Sequence, residues 1–234
     1  MGRIYLLRHG QADLFGADYD RLSDLGEAQA RAVGAALAQR GVSPKILISG
    51  GLRRQSETAR LASEAAGWAA RPEQDPDWDE YRTEDLFAPA FPDTPNQEAI
   101  AASVADADNP RRAFQAKFET AFASWLGGHA GGPDGAETMS WAAFRARGLG
   151  ATKRLAARLG PGETAVAATS GGVIAAILQS LLDAPDDAVL RLHNPVYNGS
   201  LTRLMTQGDT VALSGFNDIS HLEAAGGAAL VTYR

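Results

Sequence analysis

The chain contains no cysteine. Disulfide staples and thiolate metal centres are both excluded. No apolar run approaches the ~18 residues that a membrane helix needs. The first apolar run is also too short for the core of a signal peptide, so a cytoplasmic protein with no membrane partner is expected. Positive charge is in short supply: 22 Lys and Arg against 28 Asp and Glu give a net charge of −6. That argues against a nucleic-acid partner, which usually meets a basic stripe. Histidine is scarce as well, with four residues, His9, His129, His193 and His221. None stands in an HExxH or other close metal-binding spacing, so neither a metal nor a cofactor is expected.

What is present is an ordinary globular composition. The 234 residues are 45% apolar and 21% charged, enough for one large domain that buries ~70% of its unfolded surface. Apolar runs at Ile4–Leu7, Ile46–Ile48 and Thr164–Thr169 read as strands. Each ends in a small or glycine-rich turn: Arg8-His9-Gly10, Ser49-Gly50-Gly51 and Ser170-Gly171-Gly172. Helical periodicity follows over Asp24–Arg40, with Leu25, Ala28, Ala32, Val33, Ala36 and Leu37 on one face, Ser23 as N-cap and Gly41 as the stop. Leu52–Ala66 and Val173–Leu182 read as further helices, and Leu201–Met205, Val211–Ser214 and Leu230–Tyr233 as late strands. This alternation predicts an α/β fold, a three-layer sandwich whose largely parallel central sheet carries helices on both faces. Strand edges leave room for a homodimer. In such sheets ligands collect at the carboxyl ends of the strands, which places the three turns on one rim.

Residues 85–135 differ in texture and are expected to form a mainly helical insertion within a single domain spanning 1–234. Arg111–Leu126 carries Phe114, Phe118, Phe122 and Trp125 at helical spacing, read here as a packing stripe. Gly127–Gly135 reads as a flexible loop, and Arg111-Arg112 as a solvated helix start.

The chemistry concentrates at the rim. A glycine beside His9 lets a ligand approach the backbone, and Arg8 offers a planar fork suited to phosphate oxygens. The combination points to a phosphoryl group held against an imidazole.

Arg8-His9-Gly10, the stretch Leu22-Ser23-Asp24-Leu25-Gly26-Glu27-Ala28-Gln29-Ala30, and Leu52-Arg53-Arg54-Gln55-Ser56-Glu57-Thr58-Ala59 occur in that order. Together they resemble the histidine phosphatase superfamily, the phosphoglycerate-mutase-like proteins. Glu137 with Arg145, and Phe216-Asn217-Asp218-Ile219-Ser220-His221-Leu222, extend the likeness across most of the chain. The resemblance implies that neutral His9 attacks phosphorus and becomes a phosphohistidine, with its other ring nitrogen donating to a backbone carbonyl. It implies that Arg8 and Arg54 hold phosphoryl oxygens. Arg54 is taken over Arg53 because it lies four residues before Thr58. Glu80 is the implied proton donor, with Asp77 and Asp79 as loop acids nearby.

Two departures stand out. Ser170 occupies the place where the family usually carries a second histidine. Its hydroxyl, with the amides of Gly171 and Gly172 at a helix start, can still meet a phosphate oxygen. Phe15 stands where family mutases carry Asn, whereas Gln11 occupies a position that is often Glu or Gln and is taken as a phosphate contact. Phe15, Tyr19, Trp78 and Tyr81 suggest either an aromatic-lined pocket or ordinary packing. The expected activity is metal-independent hydrolysis of a small phosphomonoester. The alternatives are mutase-type phosphoryl transfer and, because of Ser170, non-catalytic binding of a phosphate ligand.

Overall fold

The computed structural model describes residues 1–12, 20–128, 137–208 and 210–233. Phe15, Tyr19, His129 and most of the expected 127–135 loop lie outside them. The strands are β1 (Gly2–Arg8), β2 (Ile46–Ser49), β3 (Pro72–Gln74), β4 (Thr164–Thr169), β5 (Leu201–Gln207) and β6 (Thr210–Asp218). They form one mixed sheet in the order β3-β2-β4-β1-β5-β6. The first four run parallel, and β5 and β6 complete the far side antiparallel. Arg8 pairs with Thr169 and Ser49 with Ala168, so β1, β2 and β4 end together. The rim expected from the three turns therefore exists.

The period of two along each strand divides the core. Ile4 and Leu6, with Ile48, Ala165 and Ala167, face one way; Tyr5 and Leu7, with Leu47, Val166 and Ala168, face the other. Helices α1 (Asp24–Gln39) and α2 (Arg53–Ala66) cover the second face through Val33, Leu37, Ala59 and Ala62. The opposite face is covered by α3 (Thr83–Phe87), α4 (Gln97–Ser103), α5 (Pro110–Leu126), α6 (Trp141–Ala157), α7 (Gly171–Leu181) and α8 (Asp186–His193). Helix α9 (Ser220–Gly226) packs against α1. No helix among the described residues is long and apolar enough to cross a membrane.

Helix α1 begins as its sequence dictates. The Ser23 hydroxyl accepts from the Gly26 amide at 3.1 Å, and Gly41 takes a φ of +70° past the helix end. In α5 the stripe does pack: Phe118, Phe122 and Trp125 are buried in the same cluster as Ile4 and Leu6. Tyr81 meets Phe122, Trp125 and Phe144 edge-on at 6.2, 5.1 and 5.7 Å between ring centroids. Two of the indoles in this cluster find acceptors: Trp125 donates to the Met139 carbonyl and Trp141 to Gln179, both at 2.7 Å. Trp78 is wholly buried in this core.

The expected strand Leu230–Tyr233 does not form. Gly227–Leu230 makes a 3-10 turn, and the tail beyond it joins no ladder. Its polar groups go elsewhere: Gln29 donates to the Leu230 carbonyl at 2.8 Å and to Thr232 at 2.9 Å, and the Asn198 amide donates to the Thr232 carbonyl at 2.9 Å. With those groups satisfied by side chain and loop, the β-branched run has no need of a strand partner.

Candidate active site

His9 follows directly from β1, and its backbone amide donates to the Thr169 carbonyl at 2.9 Å. The turn Asn198-Gly199-Ser200 closes behind it. Ser200 offers its carbonyl to the Arg8 amide at 3.1 Å, and the Gly199 amide donates to the Arg8 and His9 carbonyls at 3.1 and 3.3 Å. His221 braces that turn by donating from Nε2 to the Gly199 carbonyl at 2.9 Å. Burial pushes the His221 pKa down, consistent with a neutral structural imidazole.

The His9 ring is 7% exposed. Nδ1 lies 2.7 Å from the Gly10 carbonyl oxygen, which can only accept, so Nδ1 carries the proton. Nε2 accepts from Arg54 Nε at 3.2 Å. The ring is thus fixed as the neutral Nδ1–H tautomer. Burial, then the charges of Arg54 and Arg8, hold its pKa well below the ordinary 6.5.

Gly10 has a reason to be glycine. A Cβ there would stand 2.2 Å from the Gly26 carbonyl oxygen, because the turn after β1 lies against the first turn of α1. The Gly10 amide donates to Thr58 Oγ1 at 3.1 Å, and Thr58 donates back to the Arg54 carbonyl at 2.7 Å. Thr58 therefore couples His9's neighbour to Arg54's helix.

Helix α2 starts without a capping side chain of its own at Leu52. Two carboxylates from remote parts of the chain serve instead. Asp20 accepts from the Arg53 and Arg54 amides at 2.7 and 3.4 Å and pairs with Arg54 Nη1 at 2.7 Å. Asp79 accepts from the Gly51 amide at 2.6 Å and also from that of Leu52; burial nonetheless raises its pKa. Arg54 is thereby held between Asp20 and His9, whereas Arg53 turns outward to Glu57 at 2.9 Å.

Glu80 is anchored at the start of α7. Its Oε2 accepts from the Gly172 amide at 3.0 Å and its Oε1 from the Tyr81 amide at 3.3 Å. Burial raises its pKa above the ordinary 4.5 against these bonds and against Arg54 and Arg8, whose charges both reach it. A Cβ on Gly172 would stand 2.3 Å from Glu80 Oε1, so only glycine lets the carboxyl sit there. Arg8 gives Nη1 to the Val196 carbonyl, and its Nε lies 3.6 Å from where a Cβ on Gly171 would stand.

His9, Arg8, Arg54, Glu80 and Gly171 thus share one neighbourhood. Ser170 sits beside it but is fully buried, and its hydroxyl accepts from Gln55 Nε2 at 2.8 Å. Gln11 turns its side-chain carbonyl to the Ser23 hydroxyl at 2.9 Å, bracing the α1 cap. Asp77 pairs with Arg154. Arg145 lines a separate cleft of about 460 Å³ with Gln179 and Asp183, and Glu137 offers its carbonyl to Arg82 at 3.4 Å.

The pattern reading gave no individual role to several residues. Asp20, Gln55 and Asn217 act only through contacts between distant parts of the chain. Asn217, at φ +57°, donates to the Pro195 carbonyl at 2.6 Å and accepts from the Tyr197 amide at 2.9 Å, securing the turn that receives Arg8. The Asn-Gly-Ser cluster at 198–200 carried a turn signal. His193, unplaced by sequence, ends α8 with Nε2 3.8 Å from the Gly171 Cβ position.

The solved structures similar to this chain share its fold. Bacillus stearothermophilus YhfR matches with a TM-score of 0.68 and 22% identity over 94% of this chain and 99% of its own. A phosphoserine phosphatase of Entamoeba histolytica matches at 0.66 and 18%, over 95% and 100%. A mycobacterial glucosyl-3-phosphoglycerate phosphatase matches at 0.62 and 26%, over 92% and 98%. No curated protein sequence matches. The family model of the histidine phosphatase superfamily, branch 1, matches residues 4–99 and 102–219, a span that takes in His9, Arg54 and Glu80. With that span matched and a neutral imidazole set against a guanidinium at its first strand end, the chain belongs to the histidine phosphatase superfamily.

Proposed function

We propose that the protein is a phosphatase that hydrolyses a small phosphomonoester through a phosphohistidine on His9. The observation that carries this reading is the His9 ring: Nδ1 is committed to the Gly10 carbonyl and Nε2 presents its lone pair toward Arg54. An imidazole held neutral and aimed in this way is a nucleophile. An incoming phosphoryl group draws the Arg54 donors onto its oxygens and frees Nε2 to attack phosphorus in line. Arg8 and Arg54 neutralise the charge that builds on the equatorial oxygens, and the Gly171 amide adds a donor at the start of α7.

The P–O bond to the leaving alkoxide breaks as the P–N bond to His9 forms. Glu80, whose pKa burial raises, gives a proton to the departing oxygen. As a carboxylate it then takes a proton from water, which attacks phosphorus, breaks the P–N bond and returns His9 to its neutral form. No step requires a metal ion. Glucosyl-3-phosphoglycerate phosphatase, at 26% identity, favours hydrolysis over mutase-type transfer.

The test is hydrolysis of p-nitrophenyl phosphate in the presence of a chelator, with intact-mass detection of phosphate on His9. Release of phosphate that His9→Ala abolishes is expected. Equal release by that variant overturns the reading, and isomerisation of a phosphoglycerate without phosphate release would replace it with a mutase.

A further inference from the structure

We infer that His193 is a second imidazole of the phosphoryl site, donating from Nε2 to a non-bridging oxygen beside Arg8. The inference rests on the phosphatase reading and adds a residue to it. His193 is the last residue of α8 and is 7% exposed. Its ring is stacked on Phe118 at 5.8 Å and 21°, and packs against Phe122 at 5.3 Å and Tyr81 at 6.5 Å. The aromatic wall leaves the Nε2 edge directed to the start of α7. The Gly171 Cβ position lies 3.8 Å from that nitrogen, 3.6 Å from Arg8 Nε and 3.7 Å from Arg8 Cζ. The imidazole and the guanidinium therefore flank the same residue at a helix N-terminus, where backbone amides already favour an anion.

Two further contacts fix the arrangement. Arg8 Nη1 donates to the carbonyl of Val196, and the Val196 amide donates to the His193 carbonyl at 3.3 Å. Arg8 and His193 thus belong to one short bonded unit, clamped from behind by Asn217 through Pro195 and Tyr197. Ser170, at the end of β4, directs its oxygen into the core toward Gln55. A donor on this flank has to come from another element, and α8 supplies the imidazole. Glu80 sits next to the pair on Gly172, so the arrangement places His193 between helix α5 and the reacting group.

The experiment compares the wild type with His193→Leu and His193→Gln, the latter keeping an N–H near the Nε2 position. Turnover of p-nitrophenyl phosphate is measured beside inorganic phosphate affinity by calorimetry, with thermal melting as the fold control. Loss of one preorganised donor is expected to lower kcat of His193→Leu by ~10²-fold, weaken phosphate binding in parallel, and be partly restored in His193→Gln. In the wild type, the His193 ring resonances should shift on titration with phosphate. Unchanged phosphate affinity in a folded His193→Leu variant, or unmoved ring resonances, overturns the inference. If the wild type binds phosphate at His193 but never labels His9, the phosphatase reading fails and the His193 assignment stands.

Discussion

Arg54 donates to His9 Nε2 at 3.2 Å while the same guanidinium grips Asp20 at 2.7 Å. On the proposed mechanism, the nucleophile is thus guarded in the resting protein by the group that holds its substrate. Because burial and the two arginines depress the His9 pKa, kcat/KM should stay level as pH falls through 6.5, with the acid limb well below that value. Arg54→Gln removes one of the depressing charges, so its acid limb should move upward while turnover drops by ~10²–10³. The same shift governs stability. His9 and His221 both protonate less readily folded than unfolded. Their contribution is complete above pH 6.5 and is lost as pH falls below it toward the folded values. Denaturant titrations at pH 7.5 and 5.5 measure that loss.

Glu80→Gln keeps a hydrogen-bonding side chain on Gly172 but has no proton to give. Rates should fall by ~10²–10⁴, more for alkyl phosphates than for nitrophenyl phosphate, whose leaving group needs little help. In the wild type, hydrolysis of alkyl phosphates should decline as pH rises above the elevated Glu80 pKa. A leaving-group series for both proteins checks the slope.

Two glycines should separate folding from chemistry. Gly10→Ala drives a methyl into the backbone of Gly26, at 2.2 Å from its carbonyl oxygen, and should lower the melting temperature sharply. Gly172→Ala meets the Glu80 carboxylate and the Tyr81 ring at 2.3 and 2.7 Å. Those are side chains that can move, so the variant should stay folded and lose turnover. Melting and rate data on the two proteins decide it.

Asp20 combines a helix cap with an ion pair. Asp20→Ala should cost about 1 kcal/mol of stability through the cap and release Arg54. Asp20→Asn can still accept from the amides, so it should recover the stability without recovering the full rate.

The sequence reading reached furthest where a pattern is local. Apolar runs at Ile4–Leu7 and Thr164–Thr169 ending in small or glycine-rich turns, and helical spacing after Ser23, are written within a dozen residues, and the rim they build is present. His9 was singled out by its strand end and glycine turn and Arg54 by resemblance, and the structure brings the two side chains to 3.2 Å. Glu80 could be singled out from its acidic neighbours by resemblance, whereas its place on Gly172 joins residues 92 positions apart. Helices α6 and α8 escaped because one carries glycines and the other is short. Asp20, Gln55 and His193 owe their positions to pairings between distant elements, which no spacing encodes. Leu230–Tyr233 looked like a strand by propensity and lost to hydrogen bonds offered by Gln29 and Asn198.

Phe118 and Phe122 touch the His193 ring and at the same time belong to the apolar cluster that contains Ile4 and Leu6. Helix α5 is thus keyed into the floor of the molecule and cannot be loosened on its own. On the proposed reading, a substitution along its inner face that reshapes what the site accepts also disturbs the shared core, so selectivity and robustness should drift together.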